Sequence, residues 1–140
     1  MIVILIRHAE RAATGDDPLL TAAGERRAVV LAKMFGDANV SAIFTSTFRR
    51  TKNTAAPLAR KTGVVPKVIA DDGDQAKARI VAAGPCVVVV GHTNTVPAFI
   101  QALGGPSDVV IADSEFDRMF VMSVPAAGAP SLLQMRYVSV

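Results

Sequence analysis

Only two histidines occur in this chain of 140 residues, and their settings match. His8 follows the apolar run Ile2-Val-Ile-Leu-Ile6 and Arg7; His92 follows Cys86-Val-Val-Val-Val90 and Gly91. Both runs have the length and β-branched content of strands buried on two faces. Each histidine therefore stands just past the carboxyl end of a strand, where open α/β sheets build their ligand crevices. One histidine in such a place is commonly a structural hydrogen-bonding group. Two at equivalent positions, with none elsewhere, point to a shared site.

Arginines flank both settings. Arg7 carries a planar guanidinium suited to two oxygens of an oxyanion such as phosphate, the alternative being a salt bridge to Glu10 or Asp16. Arg49 and Arg50 fall in the first turns of the helix expected after Phe44. Adjacent helical residues point about 100° apart, so at most one of the pair faces the crevice readily. Helix N-termini after the second and fourth strands would add backbone N–H donors at the same rim.

Together these groups describe a phosphate pocket. A neutral imidazole nitrogen can attack phosphorus, giving a phosphohistidine that water later cleaves. Arginines stabilise the charge spread over the transferring phosphoryl oxygens. Neither HxxxH nor paired cysteines occur, so no metal or other cofactor is expected. The absence of a Gly-x-x-x-x-Gly-Lys-Ser/Thr loop argues against a P-loop nucleotide hydrolase.

The elements that must hold these residues alternate along the chain. Strands are expected at Ile2–Ile6, Ser41–Phe44, Lys67–Ala70 and Cys86–Val90. Helices are expected between them: from a Thr21 cap to about Phe35, with Ala28, Leu31, Met34 and Phe35 on one face; from Thr45 or Ser46 to about Thr62; from the acidic stretch Asp71, Asp72, Asp74 to Ala83. A fourth helix, capped by Thr93 or Thr95, begins near Pro97 and stops at Gly104-Gly105. Arg118–Val124 and Ser131–Tyr137 close the chain as two strands without a helix between them. This order implies one α/β domain over residues 1–140, a three-layer αβα sandwich with a mostly parallel sheet and an antiparallel edge.

Composition sets the outer bounds. Hydrophobic residues make up 51% and charged residues 19%, which excludes disorder. No stretch approaches the ~18 apolar residues of a membrane span, and no signal peptide is visible, so no membrane partner and a cytoplasmic location are expected. The net charge of +3, with one Tyr and no Trp, is too small an excess to imply nucleic acid, but suits an anionic small substrate. Cys86, the single cysteine, beside four valines, reads as a small core residue rather than a nucleophile.

Three motifs resemble the histidine phosphatase superfamily, also called phosphoglycerate-mutase-like: Leu5-Ile-Arg-His-Ala-Glu10, Thr45-Ser-Thr-Phe-Arg-Arg-Thr-Lys-Asn-Thr-Ala55 and Val90-Gly-His-Thr-Asn-Thr-Val96. Leu20-Thr-Ala-Ala-Gly24 is similar to the start of that family's first helix, and order and spacing agree over nearly the whole chain. The resemblance implies that His8 is the phosphorylated nucleophile, Arg7 a phosphate ligand and His92 the second, phosphoryl-binding histidine. Its Ser-x-Leu-x-Arg pattern lands on Ser46, Phe48 and Arg50, which selects Arg50 over Arg49 as the other phosphate ligand.

Departures from the pattern matter too. Ala9 stands where the family often has Gly, and Thr93 removes the His-Asp acid of the phytase-like branch. The acid of the mutase-like branch usually follows the third strand, where Asp72 is the candidate and helix-start solvation the competing reading. Only about thirty residues separate the end of the second motif at Ala55 from the fourth strand, leaving no room for an insert that roofs the site. An open, shallow pocket is therefore expected, and with it a short phosphatase similar to bacterial phosphohistidine-protein phosphatases. Its partner would be a phosphorylated small molecule or a phosphohistidine protein. A phosphoglycerate-mutase-type phosphotransferase and a non-catalytic phosphate-binding module are the alternatives.

Overall fold

A computed structural model of the chain describes residues 1–138. Its elements are β1 (Ile2–Arg7), α1 (Ala22–Phe35), β2 (Ala42–Thr45), α2 (Arg49–Thr62), β3 (Lys67–Val68), α3 (Gly73–Val81), β4 (Cys86–Gly91), α4 (Thr95–Ala102), β5 (Arg118–Ser123) and β6 (Ser131–Arg136). The strands form one six-stranded sheet in the order β3-β2-β4-β1-β5-β6. β3, β2, β4 and β1 run parallel; β5 pairs antiparallel with β1, and β6 with β5. The expected antiparallel edge is thus two strands wide.

Side-chain alternation along β1 and β4 splits the core in two. Val3, Leu5, Val87 and Val89 point to one face, where Ala76 and Ile80 of α3 and Val96, Phe99 and Ile100 of α4 cover them. Ile4, Ile6, Val88 and Val90 point to the other, against Leu31 and Ala32 of α1 and Ala55 and Leu58 of α2. The runs are continuous because both faces are covered. Fully burying each such side chain is worth about 1.5–3 kcal/mol, so β1 and β4 fix the centre of the sheet. Cys86 is half-buried at the rim of the second cluster, and burial raises its thiol pKa, as suits a packing role.

Several local expectations need correction. Thr21 does cap α1, its side chain accepting from Gly24 N at 3.1 Å. Met34, however, is exposed, and Ala32 takes its place on the buried face. α2 begins later than expected, with Phe48 at its N-cap and no side-chain cap, because Ser46 is engaged elsewhere. It runs uninterrupted through Pro57 and ends at Gly63, whose φ of 74° is the left-handed conformation that glycine adopts without strain. β3 has two residues instead of four, α3 ends at Val81, and Asn94 rather than either threonine holds the cap position of α4.

Candidate active site

The parallel register of β1 and β4 explains why the two histidines meet. Arg7 lies opposite Gly91, so His8 and His92 are each one residue beyond a matched pair. The His8 N–H donates to Gly91 O at 2.8 Å, extending the ladder by a step. The imidazole rings end with centroids 5.4 Å apart in an edge-to-face arrangement.

His8 is buried, at 3% exposure, and its Nδ1 lies 2.8 Å from Ala9 O. A carbonyl only accepts, so the proton of the neutral ring is on Nδ1 and the lone pair is on Nε2. Burial pushes the His8 pKa down to about 3, against the Ala9 hydrogen bond, and the charges of Arg7, His92 and Arg50 lower it further. The ring is therefore neutral at pH 7, the state a nucleophile requires. Thr54 of α2 fixes the adjoining backbone by accepting from Ala9 N at 2.9 Å.

His92 is held from the second motif. Its Nε2 lies 2.8 Å from Ser46 Oγ, which also meets Thr51 Oγ1 at 2.9 Å, while Thr95 Oγ1 accepts from His92 N at 2.9 Å. Burial, followed by the charges of Arg50 and Arg7, lowers the His92 pKa to about 4. Each residue of the Ser46–Phe48–Arg50 pattern has a place here. Ser46 orients His92, the Phe48 ring stands 5.4 Å from the His92 ring, and the Arg50 guanidinium lies 4.2 Å over Phe48.

The arginines divide as their spacing requires. Arg50 lines the cleft with its Nε buried and unpaired, and burial lowers its pKa ahead of any charge effect. Arg49 turns away to Asp17, donating from its backbone N to Oδ1 at 2.8 Å and from Nη2 to the backbone O at 2.7 Å. Arg7 has no carboxylate partner among the described residues. Its Nη1 donates to three backbone carbonyls, Ala112 at 3.4 Å, Asp113 at 2.7 Å and Glu115 at 2.9 Å, and its guanidinium stacks 3.9 Å from the Phe116 ring. Glu10 instead forms a bidentate pair with Arg27 at 2.8–3.0 Å, tying the first motif to α1.

Arg7, His8, Arg50 and His92 thus line one cleft of about 690 Å³, walled also by Val68–Asp71, Phe99 and Asp113. That volume is in the range of sites that hold a whole small molecule. The β3–α3 segment and α4 supply most of these further walls. Asp72 does not reach the cleft; its carboxylate caps α3, accepting from Asp74 N at 2.9 Å and Gln75 N at 3.1 Å. Asp71 and Asp113 are the acidic residues at the cleft wall. Sequence reasoning also missed Arg11, which lines the cleft, and Phe116, which lies in a loop without motif or periodicity. Arg11 had a signal, standing three residues after His8, but nothing local says which way a loop arginine points.

Among known families, the histidine phosphatase superfamily (branch 1) matches residues 3–73, just over half of the chain, and the chain belongs to that superfamily. No curated protein matches it in sequence. Among solved structures it is similar to the protein histidine phosphatase SixA complexed with tungstate, at 17% identity and TM-score 0.79, with 97% of each chain covered. A phosphohistidine phosphatase SixA from Agrobacterium tumefaciens, described as putative in its name, is similar at 22% identity and TM-score 0.70, with 98% of each covered. The alpha-ribazole phosphatase from Shigella flexneri is similar at 14% identity and TM-score 0.76, covering 98% of this chain and 96% of that one. At these identities the likeness is one of fold, and the fold is phosphoglycerate-mutase-like.

Proposed function

We propose that the chain is a metal-independent phosphatase in which His8 Nε2 takes the phosphoryl group of a phosphate monoester or phosphoramidate. The observation that carries this reading is the Nδ1 contact of His8 with Ala9 O, which leaves the Nε2 lone pair in a cleft lined by Arg7, Arg50 and His92. In the first step Nε2 forms the N–P bond as the P–O or P–N bond to the leaving group breaks, and the leaving group departs with that electron pair. In the second, water attacks phosphorus, the N–P bond returns its pair to Nε2, and phosphate is released. Arg7, Arg50 and His92 stabilise the phosphoryl oxygens in both steps. With Asp72 committed to a helix cap, a phosphoramidate or a good leaving group suits the site best, since neither needs a strong protein acid.

Hydrolysis is favoured over mutase chemistry because the chain and the SixA structure match over 97% of each, so neither carries a large roofing insert relative to the other. A phosphohistidine protein and small phosphate esters are the substrates to compare. Wild type should hydrolyse them in EDTA, trap an acid-labile phosphohistidine and be inhibited by vanadate, while His8→Ala should do none of these. Activity lost in EDTA and restored by a divalent ion, or full activity in His8→Ala, would overturn the reading.

A further inference from the structure

Arg11 is the one cleft arginine that the phosphoryl chemistry leaves unused. It lines the cleft with Arg7 and Arg50, yet forms no ion pair with any carboxylate among the described residues. Among the described residues its side chain makes one hydrogen bond, a long one of 3.4 Å from Nη1 to the neighbouring Ala12 O. Its backbone, by contrast, is fixed. Arg11 bridges Leu20, Ala12 N donates to Leu19 O at 2.9 Å, and Thr21 N donates to Glu10 O at 2.9 Å. A free guanidinium is thus mounted on a pinned segment three residues beyond the proposed nucleophile.

Charge makes that placement costly when the cleft is empty. Arg11 acts unfavourably on both Arg7 and Arg50, and on Arg50 it is the leading charge effect after burial. With a phosphoryl group held by Arg7 and Arg50, the Arg11 guanidinium still has no anion partner of its own among the described residues. Of the two acids at the wall, Asp113 acts on Arg7, while Asp71 belongs to the β3–α3 side. The cleft also has room for more than a phosphoryl group, at about 690 Å³.

We infer that Arg11 forms a second anion subsite, and that the substrate is a phosphorylated small molecule carrying another acidic group a few bonds from the transferring phosphoryl. This rests on the phosphatase reading for what happens at His8, but the subsite itself is a binding property. An exposed guanidinium meeting a carboxylate or phosphate with two N–H donors gives a charge-assisted contact that favours the acid-tailed ligand by about five- to tenfold.

Non-hydrolysable alkylphosphonates separate the two questions. Chains of two to five carbons, ending in methyl, carboxylate or a second phosphonate, would be titrated calorimetrically into wild type, Arg11→Gln and Arg11→Lys. Wild type should bind an acid-ended compound about five- to tenfold more tightly than its methyl-ended counterpart at the best chain length. Arg11→Gln should shrink that ratio to within about twofold, and Arg11→Lys should keep part of it. The subsite is refuted if no chain length shows an advantage, if none of the compounds binds, or if the advantage survives in Arg11→Gln. A uniform loss for every compound in Arg11→Gln, with the ratio intact, would make Arg11 a steering charge and refute it equally. Failure of phenyl phosphate turnover, with the acid-tail advantage intact, would overturn the phosphatase reading and leave the subsite standing.

Discussion

Acid is the simplest perturbation of the proposed histidine nucleophile, and the burial of His8 sets how the protein should respond. An unperturbed imidazole, with a pKa of about 6.5, is about 97% protonated at pH 5. With its pKa held down at about 3, His8 should remain neutral there. The unfolded chain takes up this proton near pH 6.5, whereas the folded chain does not until about pH 3. Between those values the unfolded state holds more protons, so stability falls as the pH is lowered through that window. From pH 7 to pH 5, His8 alone should remove about 2 kcal/mol. His92, with its pKa near 4, acts in the same direction and by less, because solvent reaches part of its ring. With only two histidines, the Cε1–H proton spectrum is simple to follow, and a His8→Asn variant assigns it. Urea unfolding at both pH values, in wild type and His8→Asn, measures the linked stability. A His8 resonance titrating near pH 6.5, or an equal pH slope in the two proteins, would refute the reasoning.

Two further outcomes follow from the geometry. Arg50→Ala should lower kcat/KM by about 10²–10³, the cost of a removed transition-state donor, while Arg49→Ala, which loses an exposed pair with Asp17, should stay within a few-fold of wild type; steady-state kinetics on phenyl phosphate checks this, and the reverse ranking would mean that the helix register is misread. Gly24→Ala should lower the thermal midpoint by several degrees, because a β-carbon at Gly24 would clash with the Glu10 carbonyl oxygen and force the first motif and α1 apart; overpacking of this kind costs about 1–3 kcal/mol, opposite in sign to the usual gain from glycine to alanine in a helix, and a neutral or raised midpoint would refute it.

What could be read from the sequence depended on how far each signal reached along the chain. The strands β1 and β4 announce themselves because both their faces are buried, so Ile2–Ile6 and Cys86–Val90 are unbroken apolar runs. Their equivalent ends place His8 and His92 side by side from the sequence alone. Thr21 was legible as a cap because its partner, Gly24, is three residues away. Ser46 was not. It looks like a cap, but a histidine 46 residues distant takes its hydroxyl, and α2 starts without one. Asp72 shows the opposite case, since the resemblance offered it as a candidate acid while its place at a helix start offered a local role, and the local role holds. Phe116 had no readable signal, because only the folded loop brings an aromatic ring under Arg7.

The same distances say something about how the site holds its shape. His92 is tied to Ser46 across 46 residues, and Arg7 to the carbonyls of Asp113 and Glu115 across 106 and 108. Glu115 is itself held from the antiparallel edge, its carboxylate meeting Arg118 at 3.3 Å and Arg136 at 2.9 Å and accepting from Ala112 N at 3.0 Å. Arg7 therefore has two tasks on one guanidinium. Nη1 and the ring stack lock it to the loop before β5, and that lock aims the rest of the group at the cleft. A buried guanidinium fixed by three carbonyls has little freedom to reorient, so in the proposed reaction its alignment costs little further. The antiparallel edge, which carries none of the four proposed phosphoryl-site residues, is in this way part of what aligns the site.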